Sequence, residues 1–167
     1  EENTTLNAGY YELSNSGNIV FEDTNANGVQ DLGEAGIANV EVTLTGTTGN
    51  GTAVTLTTTT DGNGNYDFDN LVPGDYKLTF ASPTDFKATY ANEGGDDTLE
   101  SDPDPLSGMT VFENLESGED NDTYDAGFYK LNPITEIFKG YKDTDGISPV
   151  GSNSVMSLYE SPNGTLW

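Results

Sequence analysis

The 167-residue sequence contains no cysteine and no histidine. Without cysteine the chain can form neither a disulfide framework nor a thiolate metal site, and without histidine it cannot build a serine triad. It also has no apolar run near the roughly 18 residues that a membrane-spanning helix needs, and no charged-then-apolar first segment that would direct export. We therefore expect no membrane insertion and no nucleophilic catalysis of these kinds.

Positive charge is also scarce, because 5 lysines and no arginine stand against 29 acidic residues, for a formal net charge of -24. This balance disfavours nucleic acid and anionic membrane surfaces as partners, and it makes metal cations the natural counter-charge. The apolar share of 33% is low but adequate for a thin two-layer core.

One stretch, DTNANGVQDLGE at residues 23–34, has the spacing of a calcium-binding loop. Counted from its first residue, Asp or Asn stands at positions 1, 3, 5 and 9, Gly at 6 and Glu at 12. A hard cation prefers about six to eight oxygens, and short side chains at alternate positions point inward as the backbone curls around it. The predicted calcium ligands are Asp23, Asn25, Asn27, the Val29 carbonyl, Asp31 and Glu34. The alternative is a metal-free surface turn, since Asn and Asp favour turns by themselves.

Alternating apolar and polar residues surround this loop and recur along the chain, with turn residues between the runs. No segment shows helical periodicity. The runs contain Ile19/Phe21, Val40/Val42/Leu44, Val54/Leu56, Tyr66/Phe68, Tyr76/Leu78/Phe80, Val111 and Tyr124/Ala126/Phe128. About seven short strands at this spacing predict an all-β protein, an antiparallel β-sandwich. The calcium loop is therefore expected between strands, without a helix pair.

An internal repeat divides the chain. Residues 1–13, EENTTLNAGYYEL, align without a gap to residues 119–131, EDNDTYDAGFYKL. We interpret residues 1–13 as the closing strand of a preceding repeat or a strand donated to a neighbour, and residues 14–131 as one complete unit. Residues 132–167 do not continue the pattern and are expected to begin a different domain or to form an extension.

Four motifs carry a family resemblance: GNIVFEDTNANGVQDLGEAGIANVEVTL, TDGNGNYDFDNLVPGDYKLTF, SDPDP and TYDAGF. Their order resembles an SdrD-type B repeat, the calcium-binding branch of the Cna B-like domains in bacterial surface adhesins. The resemblance implies a prealbumin-like Greek-key sandwich, used in tandem as a calcium-stiffened stalk between a ligand-binding head and the cell surface. It also implies further calcium ligands at Asp102, Asp104, Asp122 and Asp125, whose alternative is a solvated acidic face.

The leading hypothesis is a calcium-stabilised structural repeat that acts as a spacer or stalk in an extracellular adhesin or fibre, secreted or attached to the cell surface. Its partners would be neighbouring repeats or copies of itself, and we expect the ions near Asp102 and Asp125 at the end where repeats meet. One alternative is a self-assembling fibre subunit that uses residues 1–13 for β-strand addition. Another is a module that binds a glycan or a host protein. An enzyme is disfavoured, because the paired carboxylates lie in loops without an aromatic cleft. No lysine lies in the first strand, GNIVFED, so we expect no lysine–asparagine crosslink of the Cna B-like type.

Overall fold

The computed structural model describes residues 8–131, and these residues form β-strands and no helix. The nine strands are β1 (Ser14–Glu22), β2 (Glu41–Thr48), β3 (Ala53–Thr59), β4 (Asn65–Leu71), β5 (Gly74–Phe80), β6 (Phe86–Ala88), β7 (Glu113–Leu115), β8 (Asp120–Asn121) and β9 (Ala126–Lys130). In this described part, no helix is long and apolar enough to cross a membrane. The predicted all-β class is confirmed, with two strands more than the seven we expected.

The strands form two sheets. One has the order β4-β1-β9-β6, with β8 also paired to β1, and the other has the order β3-β2-β5-β7. The second sheet is antiparallel throughout, whereas β1 in the first sheet is antiparallel to β4 but parallel to β8 and β9. The predicted β-sandwich is confirmed, and the parallel pairing of β1 with β8 and β9 makes its first sheet mixed. Between β1 and β9 the chain passes through the opposite sheet, and this long crossover allows β9 to return in the direction of β1.

The hydrophobic core lies between the sheets, where alternate residues of facing strands meet. Its members are Val20, Val40, Val42, Leu44, Tyr66, Phe68, Leu71, Tyr76, Leu78, Phe80, Leu115, Tyr124, Ala126 and Phe128. Tyr66 packs edge to face against Phe80 with ring centroids 5.4 Å apart, and its hydroxyl donates to the Tyr124 carbonyl at 2.7 Å. The polar tip of Tyr66 is thus satisfied inside the core.

The opening strand departs from the predicted alternation of Ile19 and Phe21. Val20 and Phe21 are both fully buried, while Ile19 is half-buried. Successive side chains of a strand point to opposite faces, so both faces of β1 are covered here. Val20 belongs to the core between the sheets, and the Phe21 ring lies against Gly127, where an added Cβ would come within 2.8 Å of it.

Two further positions differ because they lie at the margin of the second sheet. Val111 is 79% exposed, and the strand near it starts at Glu113, with Leu115 in the core position. Leu56 points to the same side as its buried partner Leu44, yet it is 42% exposed because β3 is the edge strand of its sheet among the described residues.

The chain reaches β1 past residues 8–13, which form no strand. Their last turn is fixed by the loop between β7 and β8, where Glu12 N–H donates to Ser117 Oγ at 2.8 Å and Gly118 N–H donates to the Glu12 carbonyl at 3.2 Å. The interpretation of residues 1–13 as a closing or donated strand stays a prediction. Residues 1–7 and the predicted extension at 132–167 lie outside the described residues.

Candidate metal centre

The candidate calcium loop, residues 23–34, starts directly after β1, and its first residue is fully buried. Asp23 N–H donates to the Phe128 carbonyl at 2.9 Å, which anchors the loop to β9. Its Oδ2 accepts hydrogen bonds from Gly28 N–H at 2.8 Å and from Thr89 Oγ1 at 2.6 Å. Oδ1 accepts only a longer one, from Asn27 N–H at 3.2 Å. Oδ1 is therefore the oxygen of this carboxylate that is best placed to bind a cation.

Local hydrogen bonds of asparagine side chains curl the next turn of the loop. Asn25 Oδ1 accepts from Asn27 N–H at 3.0 Å, and Asn27 Oδ1 accepts from Val29 N–H at 2.9 Å. Such bonds from a side chain to the backbone two residues on are the usual turn chemistry of asparagine. Gly28 has φ +85°, and an added Cβ would lie 2.7 Å from the Tyr90 carbonyl oxygen. The loop conformation therefore requires glycine at this position.

The side chains at positions 3, 5 and 9 of the loop meet one another. Asp31 Oδ2 accepts from Asn25 Nδ2 at 2.7 Å and from Asn27 Nδ2 at 3.0 Å. Glu34 closes the loop, since its Oε1 accepts from Thr24 N–H at 2.7 Å and its Oε2 accepts from Asp31 N–H at 3.0 Å. The folded loop thus brings most of the residues predicted from the spacing around one turn.

The chemistry of this donor set fits calcium, because carboxylates, side-chain amides and a backbone carbonyl are the oxygen ligands that this ion binds in proteins. Among residues 8–131 no three acidic side chains converge on a single point. In the loop, each of the three carboxylates is held by hydrogen bonds from backbone or asparagine amides. The side chains at positions 3, 5 and 9 nevertheless contact one another, as ligands that share one ion would.

A second acidic pair, Asp102 and Asp125, lies beside the middle of β1. Asp125 is fully buried, its Oδ1 accepts from Ile19 N–H at 3.3 Å, and its Oδ2 accepts from no described residue. Asp102 Oδ2 accepts from Asp125 N–H at 2.7 Å. Burial, helped by the charge of nearby Asp97, raises the pKa of Asp125 to about 8 and that of Asp102 to about 7. A buried carboxylate oxygen without a donor is a place that a cation would satisfy.

The other two predicted ligands of this region are both exposed. Asp104 caps its own turn, because its Oδ1 accepts from Leu106 N–H at 3.1 Å and from Ser107 N–H at 2.9 Å, and these bonds lower its pKa. The Asp122 carbonyl accepts from Asn18 Nδ2 beside Ile19, and the negative charge of Asp122 contributes to the raised pKa of Asp125. The structure thus brings Asp122 near the buried pair and leaves Asp104 to its local turn.

The Asp102 and Asp125 pair does not lie at the end of the sandwich where we expected it. Asp125 contacts Ile19 in the interior of β1, because the parallel pairing starts β9 beside Val20. The loop that starts at Asp23 follows the end of β1 and contacts Phe128 near the end of β9. The loop, and not the buried pair, is therefore the acidic region nearest the end from which the chain leaves.

Comparison with known families agrees with this geometry. The family model for the SdrD B-like domain matches residues 14–128, from the first residue of β1 into β9. The chain belongs to this family. A relative of this SdrD B-like domain, serine-aspartate repeat-containing protein F of Staphylococcus epidermidis (strain ATCC 12228 / FDA PCI 1200), is 41% identical over 149 residues, which are 87% of this chain and 9% of the relative.

Another relative of the SdrD B-like domain is serine-aspartate repeat-containing protein D of Staphylococcus aureus (strain Newman). It is 40% identical over 131 residues, which are 77% of this chain and 9% of the relative. The chain therefore spans about 9% of the length of the curated relatives that it matches.

Two buried polar residues of this SdrD B-like domain lie outside the predicted ligand set but contact it. Thr89 donates from Oγ1 to Asp23, and Ser101 donates from its N–H to the Gly28 carbonyl at 2.9 Å. Both are at most 1% exposed. The sequence offers no signal for Thr89, which is one of many threonines, whereas Ser101 lies in the SDPDP motif beside a predicted ligand.

Proposed function

We propose that this SdrD B-like domain is a calcium-stabilised structural unit that spaces or stiffens a bacterial adhesin or fibre outside the cell, secreted or attached to the cell surface. The observation that supports this most is the parallel pairing of β1 and β9, with Val20 beside Ala126 and Glu22 beside Phe128. These are the first and last strands of the sandwich, so the chain enters the sandwich at one end and leaves it at the other. Units joined in series through opposite ends extend as a rod.

The strand geometry sets the length of such a unit. β1 has 9 residues, which at about 3.3 Å each give roughly 30 Å along the axis of the sandwich. Neighbouring repeats, or copies of the same unit, would be the partners of this rod.

Calcium would supply the positive charge that the sandwich itself does not direct to its acidic regions. Lys77 and Lys130 lie over the rings of Phe112 and Phe86, at 5.0 and 5.8 Å from the ring centroids. In the proposed loop site the ligands are Asp23, Asn25, Asn27, the Val29 carbonyl, Asp31 and Glu34. In a second site Asp102, Asp122 and Asp125 would hold another ion, while Asp104 caps its own turn. Bound calcium would neutralise carboxylates that otherwise repel one another.

Scattering from a tandem of two copies of residues 14–131 tests the spacer function. In calcium, the maximum dimension should exceed that of one copy by roughly 30 Å. A pair no longer than one copy would contradict the proposed spacer.

A second candidate, the self-assembling fibre subunit, is favoured by one observation. In the internal repeat Tyr10 aligns with Phe128, yet Tyr10 is 94% exposed while Phe128 is 1% exposed. A side chain whose counterpart belongs to the core is thus free to enter the edge of another copy. Sedimentation of the full chain at increasing concentration tests this candidate. If the chain is a self-assembling subunit, the wild type should form oligomers and Tyr10→Asp should abolish them. A wild type that is monomeric at all concentrations would exclude this candidate.

A further inference from the structure

We propose that Ser101 is a positioning residue that couples the two acidic sites, so that binding in the loop prepares the second site. This inference rests on the proposed calcium function. Ser101 is fully buried and bonds to both regions at once. Its N–H donates to the Gly28 carbonyl of the loop at 2.9 Å, and its Oγ accepts from Gly127 N–H of β9 at 3.0 Å.

The residues on either side of Ser101 continue these two contacts. Towards the loop, Gln30 N–H donates to the Leu99 carbonyl at 2.6 Å, and Val29 forms a β-bridge with Glu100. Residues 99–101 therefore lie along the backbone of loop positions 6 to 8, which includes the carbonyl proposed as a ligand.

Towards the second site, the connection passes directly into the acidic pair. Asp102 N–H donates to the Asp125 carbonyl at 2.9 Å, and Asp125 N–H donates to Asp102 Oδ2 at 2.7 Å. The buried Asp125 Oδ2, which accepts from no described residue, marks the far end of this connection as a place for a ligand. Adjacent residues thus bond to the two sites, Ser101 to the loop and Asp102 to Asp125.

A ligand that fixes the backbone at Gly28 also fixes the position of Ser101. Because Asp102 follows Ser101 directly, the position of Asp102 relative to Asp125 is fixed as well. The coupling is reciprocal by thermodynamic linkage: if binding in the loop raises the affinity of the second site by some factor, binding in the second site raises the affinity of the loop by the same factor. Removal of Oγ leaves the buried Gly127 N–H without its acceptor and loosens the start of β9 relative to residues 99–102. The backbone bonds of Ser101 and Asp102 remain in Ser101→Ala, so this change should weaken the coupling between the two sites without removing any ligand.

A double-mutant cycle on the full chain tests this coupling. Calcium is titrated while the amide NMR signals of Gly28 and Asp125 report the two sites separately, in the wild type, Glu34→Gln, Ser101→Ala and the double variant. In the wild-type background, Glu34→Gln should lower the calcium affinity at the Asp125 reporter by about tenfold. In the Ser101→Ala background the same substitution should lower that affinity by a clearly smaller factor.

Two controls make the result specific to the hydroxyl of Ser101. Ser82→Ala removes an exposed hydroxyl that donates to the Phe86 carbonyl at 3.1 Å, and it should retain the wild-type coupling. Ser101→Thr keeps a hydroxyl and should retain coupling as well. If Ser101→Ala does not give a folded spectrum, Ser101→Cys takes its place in the cycle with a weaker acceptor.

The outcomes separate this inference from the proposed function. An equal effect of Glu34→Gln in both backgrounds, or no effect at the Asp125 reporter in either, overturns the coupling through Ser101. Absence of any calcium-dependent shift at both reporters in the wild type overturns the proposed calcium function itself.

Discussion

Replacing Thr89 by valine tests whether this residue, which is distant from the loop in sequence but contacts it, holds Asp23 in place as the first proposed ligand. Thr89 Oγ1 donates to the buried Asp23 Oδ2 at 2.6 Å, and valine keeps the shape of the side chain but has no hydroxyl. After the change, Oδ2 keeps only the Gly28 N–H. A hydrogen bond to a charged group contributes about 1.5–3 kcal/mol. We therefore expect the calcium affinity of the loop to fall by about 10- to 150-fold.

Calorimetric titration of the full chain against a competing chelator measures this affinity. The matched control is Thr98→Val, which makes the same chemical change where Thr98 Oγ1 donates to Asp96 Oδ1 at 2.8 Å in an exposed turn. The control should bind calcium like the wild type, and Thr89→Ser should recover most of the affinity. Wild-type affinity in Thr89→Val would refute the role of Thr89 and the view that Asp23 needs both donors.

Three further predictions concern the ligands and the packing around them. Glu34→Gln should weaken calcium more than Asn25→Ala in calorimetry, since it removes charge from the residue that closes the loop, and equal losses would exclude that role. In chelator, burial raises the pKa of Asp125 to about 8, so the folded state keeps a proton that the unfolded chain has lost. Asp102, with its pKa raised to about 7, acts in the same direction. The melting temperature without calcium should then fall as the pH rises from about 5 to about 8, and a slope that persists when both Asp102 and Asp125 are replaced by Asn would contradict this cause. Gly127→Ala should lower the free energy of unfolding, measured in denaturant, by about 1–3 kcal/mol, because its Cβ would lie 2.6 Å from Thr89 Cγ2 and 2.8 Å from the Phe21 ring. An unchanged free energy would show that these side chains move aside freely.

The features that could be predicted from the sequence are those set by neighbours in the chain. The side-chain bonds of Asn25 and Asn27 reach only two residues ahead, so the spacing of residues 23–34 was enough to predict the curl of the loop. The alternation of Val42 and Leu44 similarly predicted buried positions, which the structure confirms.

The features that could not be predicted depend on contacts between distant segments. Thr89 lies 66 residues from Asp23, and nothing near either residue specifies their hydrogen bond. The burial of Phe21 as well as Val20 depends on the parallel strand β9, where the Phe21 ring lies against Gly127, and local alternation does not encode this pairing. The prediction that the Asp102 and Asp125 pair lies at an end of the sandwich was wrong for the same reason. The position of this pair depends on where β9 starts along β1.

The most direct test of the account is the equilibrium unfolding of the full chain by heat, with calcium and after its removal by a chelator, with metal content checked by elemental analysis. At a calcium concentration of about 100 times the dissociation constant, each occupied site should stabilise the fold by about 2.7 kcal/mol, with a clear rise in melting temperature. Saturating calcium should have less effect on Glu34→Gln. The same melting temperature in both conditions, once the metal is shown to be absent, would contradict the claim that calcium stabilises this domain.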